Sequence, residues 1–176
     1  REKGISVISE IEFGGYYSEA KHICITGSNG KTTTAMWCYH MLKKAGFNVG
    51  LAGNVGQSFA RQIATEDFDI YVLELSSFQL DDMFTFKADI AILTNITPDH
   101  LDRYNYQMEN YIHSKFRILQ NQQATDFFIF NADDELIAAQ MKHHQITAQL
   151  HPFSLKTELA MGAYADEKQL HININK

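Results

Sequence analysis

Proline and cysteine are both scarce, with two residues of each in 176. Pro98 and Pro152 stand alone, and no Pro-rich linker, low-complexity tract or internal repeat breaks the chain. Its length suits one domain with a substantial core. Cys24 and Cys38 lack metal-ligand spacing and read as buried, reduced thiols, which fits a cytoplasmic protein. No apolar run reaches the ~18 residues that a membrane-spanning helix needs, so membrane insertion is not expected. The chain opens Arg1-Glu2-Lys3 and reaches Gly14-Gly15 without the apolar block of a signal peptide. It also lacks an initiating Met, and an excised piece of a longer protein is the expectation. Lys and Arg are nowhere clustered, and the net charge is −6. Duplex nucleic acid is therefore a poor partner, because phosphate neutralisation needs concentrated positive charge. A small anion held by backbone N–H groups and one lysine is still compatible with that balance.

What the chain does have is apolar content of 45% with 20% charged residues, typical of a globular protein. Short β-rich runs alternate with helical ones. Strands are predicted at 21–26, 47–53, 69–76, 88–95 and 126–131, and helices at 31–46, 57–65, 107–121 and 133–144. In the first long helix, Ala35, Cys38, Tyr39, Leu42 and Ala45 recur at helical spacing, with Gly46 as the residue that ends it. The runs "DIYVLELS" and "ADIAILTN" are apolar on both faces, as strands of a covered parallel sheet are. Two C-terminal runs, "ITAQLHPFS" and "KQLHININK", alternate like exposed antiparallel strands. The expected fold is α/β: a mostly parallel sheet of the P-loop type, helices on both faces, antiparallel strands near the C-terminus. Residues 1–20 form no βα unit and are expected to be the edge of a preceding domain or a linker, with the central domain over 21–176.

The stretch "CITGSNGKTTT" carries the first chemical signal. A standard phosphate loop has Gly, four residues, then Gly-Lys-Ser/Thr. Here only Ser28 and Asn29 separate Gly27 from Gly30, Lys31 and Thr32. Two readings stand on these residues alone. One is a phosphate cradle, with a turn glycine, free N–H groups at a helix start, Lys31 for the β- and γ-phosphates and the Thr32 hydroxyl for Mg²⁺. The other is a plain helix start, with Ser28 or Asn29 as N-cap and Lys31 in solvent. Polar residues at the carboxyl ends of the predicted strands favour the first, since ligands bind there in open α/β sheets. Asn54 follows "GLAG", Glu74 interrupts the apolar "YVLEL", and Asn95, Asp99 and His100 follow "AILTN". A carboxylate within an apolar strand is costly unless paired or metal-bound, so Glu74 is a candidate Mg²⁺ ligand.

Together, "ITGSNGKTTT", "GLAGNVG", "YVLELSSFQLD", "ILTNITPDHLDRY" and "YIHSKFRI" resemble the central ATPase domain of the Mur ligase family, in order over about residues 22–135. "LELSSFQL" followed by "DHLDRY" favours the branch that adds D-glutamate. The resemblance implies a three-domain ligase of peptidoglycan precursor synthesis that joins D-glutamate to UDP-N-acetylmuramoyl-L-alanine through an acyl phosphate made from ATP. Carried over, it implies that Gly27, Ser28, Asn29, Gly30, Lys31, Thr32 and Thr33 hold the ATP phosphates. Lys31, His100 and Lys115 are implied as catalytic. Thr32, Glu74, His100 and Lys115 are implied as ligands of two Mg²⁺ ions, Lys115 as a carbamate formed with CO₂. Asn54, Ser76, Phe78 and His100 are implied as substrate contacts, with Phe78 and Gln79 shaping the pocket. On its own residues, Lys115 reads as a solvated lysine on an amphipathic helix. The partners implied are small molecules only, with a monomeric, cytoplasmic enzyme.

The remaining conspicuous residues read as structural. Tyr104, Tyr106 and Tyr111 are assigned to packing, His143-His144 to a helix C-terminus, and "NADD" to a strand-to-helix turn near a helix N-terminus. The family's later His-Asn-x-x-Asn motif is not present, so the isolated 176 residues are expected not to catalyse ligation. The alternatives are another Mur ligase, a folylpolyglutamate synthetase-like amide ligase, or, from a different class, a P-loop nucleotide switch. The switch would want an Asp after an apolar strand and a guanine-reading motif, where this chain has Glu74 and no such motif.

Overall fold

A computed structural model describes residues 4–174. The elements run α1 (Glu10–Gly15), β1 (Lys21–Thr26), α2 (Lys31–Lys44), β2 (Val49–Gly53), α3 (Phe59–Thr65), β3 (Ile70–Glu74), α4 (Ser77–Asp81) and β4 (Ile90–Leu93). After a 3₁₀ turn at Leu101–Tyr104 come α5 (Met108–Phe116), β5 (Phe127–Asn131), α6 (Glu135–Met141), β6 (Gln149–Ser154), β7 (Gly162–Ala165) and β8 (Leu170–Asn173). The outer ends of the two expected segments, residues 1–3 and 175–176, lie outside the described residues.

The strands form one sheet in the order β2-β3-β1-β4-β5-β6-β7-β8. Every pairing from β2 to β7 is parallel, and only β7 with β8 is antiparallel. The expectation of a parallel sheet ending in antiparallel pairing is met, with one difference. The run "QLHPFS" joins β5 in parallel, although its alternation suggested an antiparallel strand. Gln149 and Leu150, on opposite faces of the strand, are both exposed, and polar-apolar alternation reports solvation, not strand direction.

Alternation of side chains splits the core into two layers. Ile23, Ile25, Val49 and Val72 point to one face, where Ala35 of α2 is buried and Cys38, Tyr39 and Leu42 pack against them. Cys24, Leu73, Ala91, Leu93, Phe128 and Phe130 point to the other, under Phe59, Leu80, Tyr111, Phe116 and Ile137. The predicted α2 face is thus recovered except for Ala45, which caps the helix and is exposed. Both cysteines are unpaired, Cys24 buried and Cys38 half-buried. No helix among the described residues is long and apolar enough to cross a membrane.

The N-terminal segment is fastened to this core. Ile11 of α1 is fully buried in the larger layer. Glu12, also fully buried, accepts the backbone N–H groups of Phe84, Thr85 and Phe86 and the Thr85 hydroxyl, at 2.6–3.0 Å. Burial alone raises the Glu12 pKa. The Thr85 hydroxyl and the three amides outweigh it and bring the value down to about 2.

β1 sits at the centre. The chain leaves it toward β2 and β3 on one side and returns to β4 on the other. A reversal of this kind opens a crevice at the carboxyl end of β1, where a parallel α/β sheet binds its ligands.

Candidate functional site

β1 runs straight into Gly27 and then α2, so the glycine loop lies in that crevice. Gly27 has φ of 147°, and a Cβ there would stand 2.0 Å from the Thr94 hydroxyl. Only glycine lets the loop pass this close to the end of β4. Gly30, at φ of 80°, is the N-cap of α2, and no side chain caps the helix. The capped-start reading with Ser28 or Asn29 is therefore not what forms. The first N–H groups of a 14-residue helix are left without a side-chain partner, the arrangement that attracts an anion. The amide of Asn29, just before the helix, is already used, donating to Asn95 Oδ1 at 2.9 Å.

Ser28 and Asn29 build the loop. The Ser28 hydroxyl donates to the Thr97 carbonyl at 2.8 Å, accepts the Thr97 amide at 2.9 Å, and lies 3.0 Å from the Tyr111 hydroxyl. The Asn29 carbonyl accepts from Thr94 Oγ1 and Asn95 Nδ2. Asn95, Thr97 and Tyr111 are thus the supports of the loop, a role sequence reasoning did not assign. Asn95 was flagged only by its place after a strand, and nothing in the local pattern of Thr97 or Tyr111 links them to residue 28. Lys31 reaches back over the loop, its ammonium donating to the Ser28 carbonyl at 2.8 Å.

Glu74 ends β3 beside β1, opposite Ile25 in the register, and is 2% exposed. Its two oxygens are held separately. Oε2 accepts the Thr32 hydroxyl at 2.7 Å and Oε1 the Asn54 amide nitrogen at 2.9 Å. The Asn54 backbone also donates to the Glu74 carbonyl. Three predicted residues from three elements therefore meet at one carboxylate. Thr33, one position on, is exposed beside them.

Lys115 comes from α5 on the opposite face and is 2% exposed. Its ammonium donates to the Gly27 carbonyl at 2.9 Å and the Thr26 hydroxyl at 3.2 Å, and stands 5.3 Å from the centre of the Tyr111 ring. Desolvation, then the charge of Lys31, lower its pKa. Asp99, Asp81 and Glu74 pull the other way, and the balance falls to about 7. The surface-lysine reading is corrected: this side chain is under the glycine loop, because Tyr111, Ile112, Ser114 and Phe116 around it are buried as well.

His100 is placed differently. It takes a left-handed conformation, φ of 49°, at the start of the 3₁₀ turn. Its Nε2 lies 3.5 Å from Asp99 Oδ2, and its side chain is 56% exposed. Its ring packs edge-on to Phe78 at 5.2 Å, and Phe78 in turn carries the Arg103 guanidinium 4.4 Å above it. No group of three or more His, Cys, Asp or Glu among the described residues is arranged to hold a metal ion. Ser76 is engaged locally, since its hydroxyl and Gln79 form a capping box at the start of α4.

The other structural assignments divide. Tyr104 and Tyr111 are buried, but Tyr106 is 78% exposed and packs against nothing that would hide it. Asp134 is the N-cap of α6, accepting the amides of Leu136 and Ile137, while Asp133 accepts from Ser154 and Leu155.

A phosphate-type loop at the switch point of a parallel sheet, with a buried carboxylate at the helix start and a buried lysine beneath, defines a P-loop α/β domain. The chain belongs to the Mur ligase family: residues 25–174 match the Mur ligase middle domain. It is 58% identical over 172 residues to a Bacteroides fragilis protein named UDP-N-acetylmuramoylalanine–D-glutamate ligase, a match covering 98% of this chain and 39% of that one. It is 56% identical over 175 residues to the Cytophaga hutchinsonii protein of the same name, again 98% and 39%. The chain thus spans about two-fifths of the length of these curated relatives. Among solved structures, the UDP-N-acetylmuramate:L-alanyl-gamma-D-glutamyl-meso-diaminopimelate ligase from Neisseria meningitides aligns with a TM-score of 0.71 at 18% identity, covering 98% of this chain and 59% of that one. A bifunctional folylpolyglutamate synthase/dihydrofolate synthase with Mn, AMPPNP and L-glutamate bound aligns at 0.62 and 16% identity, covering 97% and 54%. At these identities the likeness is one of fold.

Proposed function

We propose that this chain is the ATP-binding centre of a ligase that adds D-glutamate to UDP-N-acetylmuramoyl-L-alanine in peptidoglycan precursor synthesis. The observation that carries the reading is the meeting of Lys31, the Thr32–Glu74 pair and buried Lys115 around one glycine loop. The 58% identity to a relative of that name supports the choice of substrate.

In this reading the ATP triphosphate lies on the loop 27–33. The uncapped amides at the start of α2 and the Lys31 ammonium take its negative charge, which is the main catalytic demand of phosphoryl transfer. The substrate carboxylate attacks the γ-phosphorus, and ADP leaves. The amine of D-glutamate then attacks the acyl phosphate carbon, and inorganic phosphate departs as the amide forms. Asn54, Ser76, Phe78 and His100 are proposed to position the muramoyl substrate.

The donors fit a hard divalent cation. Thr32 and Glu74 present oxygen atoms, and Asn54 fixes the carboxylate from behind. Mg²⁺ there would screen the charge between phosphate oxygens. Two ions are proposed, His100 and a carbamate on Lys115 serving the second. Lys115 suits that modification. Addition of CO₂ needs a neutral amine, and burial beside Lys31 provides one near pH 7. The carbamate nitrogen keeps one N–H for the Gly27 carbonyl that the amine now bonds.

The enzyme is proposed to be cytoplasmic and monomeric. The 176 residues by themselves are proposed not to ligate, since relatives of that name are longer by more than half their length. The test is ADP release by the full-length protein given UDP-N-acetylmuramoyl-L-alanine and D-glutamate, L-alanine or meso-diaminopimelate in turn. Release dependent on D-glutamate alone supports the reading, and a preference for another amino acid overturns it. Ligation by the isolated chain would overturn the last point.

A further inference from the structure

β4 stops at Leu93, but its alignment with β1 does not. The Thr94 amide donates to the Thr26 carbonyl at 3.1 Å, and the Ser28 amide to the Asn95 carbonyl at 2.9 Å. Residues 94–97 therefore run on beside the glycine loop, with no regular structure of their own. Side chains complete the anchoring.

Asn95 grips one residue of the loop twice. Its Oδ1 accepts the Asn29 amide and its Nδ2 donates to the Asn29 carbonyl, each at 2.9 Å. One side-chain amide thus serves residue 29 as a neighbouring strand would. Thr94 Oγ1 adds a second donor to the same carbonyl at 2.8 Å. That carbonyl shares a trans peptide with the Gly30 N–H, and in a trans peptide the two groups point to opposite sides. Drawing the carbonyl toward the end of β4 turns the Gly30 N–H away from it. Gly30 is the residue that opens α2, at φ of 80°.

Asn95 is itself held in place through its neighbour. Ile96 is 2% exposed, and its amide donates to Asp134 Oδ2 at 2.7 Å. The other oxygen of Asp134, Oδ1, accepts the Leu136 and Ile137 amides at the start of α6. A helix cap needs only one side-chain oxygen. The second oxygen of this half-buried carboxylate is spent on the segment that supports the loop.

We propose that Asp134 and Asn95 act in series as positioning residues for phosphate binding. Asp134 fixes Ile96, Asn95 beside it fixes the Asn29–Gly30 peptide, and that peptide sets the amides a phosphate would meet. The inference deepens the ATP-binding reading and rests on it. Neither residue is assigned a contact with the nucleotide, because their polar atoms are committed to the chain's own backbone.

The experiment is calorimetric titration of the full-length protein with MgATP and with Mg²⁺-tripolyphosphate, which carries only the phosphate part. Asn95→Ala should raise both dissociation constants by about tenfold or more, as the loss of two hydrogen bonds implies. Asp134→Ser keeps a good N-cap for α6 and loses the Ile96 bond. It should raise both constants about fivefold. Because the two act in series, the double variant should match Asn95→Ala within about twofold. Stoichiometry reports the folded fraction separately from affinity. A merely structural role would lower stoichiometry and Tm and leave both constants unchanged, which overturns the proposal. Multiplying losses in the double variant, or weaker ATP binding with unchanged tripolyphosphate binding, would overturn it too. Lys31→Ala separates this inference from the reading beneath it. If Lys31→Ala weakens ATP binding while Asn95→Ala and Asp134→Ser do not, only the positioning role falls. If the wild type binds no ATP, or Lys31→Ala leaves binding intact, the ATP-binding reading falls and takes the positioning role with it.

Discussion

The Thr32 hydroxyl donates to Glu74 Oε2 across 2.7 Å. That bond joins the first turn of the helix after the glycine loop to the end of the neighbouring strand. Neither partner is near the other in sequence, and they meet at the carboxyl edge of the sheet, where β3 pairs with β1. The pairing also relieves a carboxylate that the apolar strand would otherwise bury at high cost.

Glu74→Gln should separate chemistry from folding. The amide still fills the space and keeps one of the two hydrogen bonds, so the stability loss should be about 1 kcal/mol. If Glu74 faces a cation and phosphate, ligation by the full-length protein should fall by roughly 10²–10³-fold, since that charge is gone. Chemical denaturation and kcat measured side by side check both. A loss of activity no larger than the loss of folded protein would count against a role at the reacting phosphate.

Lys31→Ala tests the loop itself. The folded protein loses one partly exposed hydrogen bond to the Ser28 carbonyl, a cost of about 1 kcal/mol or less. If Lys31 neutralises the γ-phosphate, kcat should drop by more than about 100-fold. Turnover near wild type would remove Lys31 from the mechanism.

Lys115 gives a pH prediction. Its pKa in the folded protein is about 7, against the ordinary lysine value of 10.5. The neutral amine, the form that adds CO₂, therefore grows as pH rises through 7. At fixed dissolved ¹³CO₂, the carbamate carbon signal in NMR should rise steeply between about pH 6 and 8. An ordinary lysine would respond only near pH 10.4. The same shift makes folding more favourable as pH rises from about 7 toward 10.5, because over that window the unfolded chain holds a proton that the native state has released.

Glu12 gives the opposite sign. Its folded pKa of about 2 lies below the ordinary glutamate value of 4.5. Its stabilisation is complete above about pH 4.5 and is lost as pH falls toward 2. Glu12→Gln should cost about 2 kcal/mol at neutral pH, the worth of hydrogen bonds to a buried charge. It should also flatten the acid limb of the stability curve. Thermal unfolding of both forms from pH 2 to 7 checks this, and identical acid limbs would assign the limb to other carboxylates.

Much of the site was legible in one dimension because chemistry and spacing coincide there. A glycine loop must follow a strand and precede a helix to offer its amides, and 24–34 has that order locally. Glu74 announced itself by contrast with the apolar residues around it. Lys115 did not. Helical periodicity places it among polar positions, and only the packing of α5 under the loop buries it and lowers its pKa. His100 was read beside Glu74 because both follow strands, yet the left-handed turn at residue 100 aims it at Asp99 and Phe78.

The amino-acid sequence by itself determined the alternation of strands and helices, the glycine loop between β1 and α2 and the family to which the chain belongs. Those features rest on contacts within a few residues, which periodicity and turn chemistry specify directly. Tertiary structure alone decided the parallel docking of β6, the anchoring of α1 by Glu12, the support of Ser28 by Tyr111, and the burial of Lys115. Each of these depends on groups 20 or more residues apart meeting across the sheet, and the energy of such a meeting is written in packing, not in local pattern.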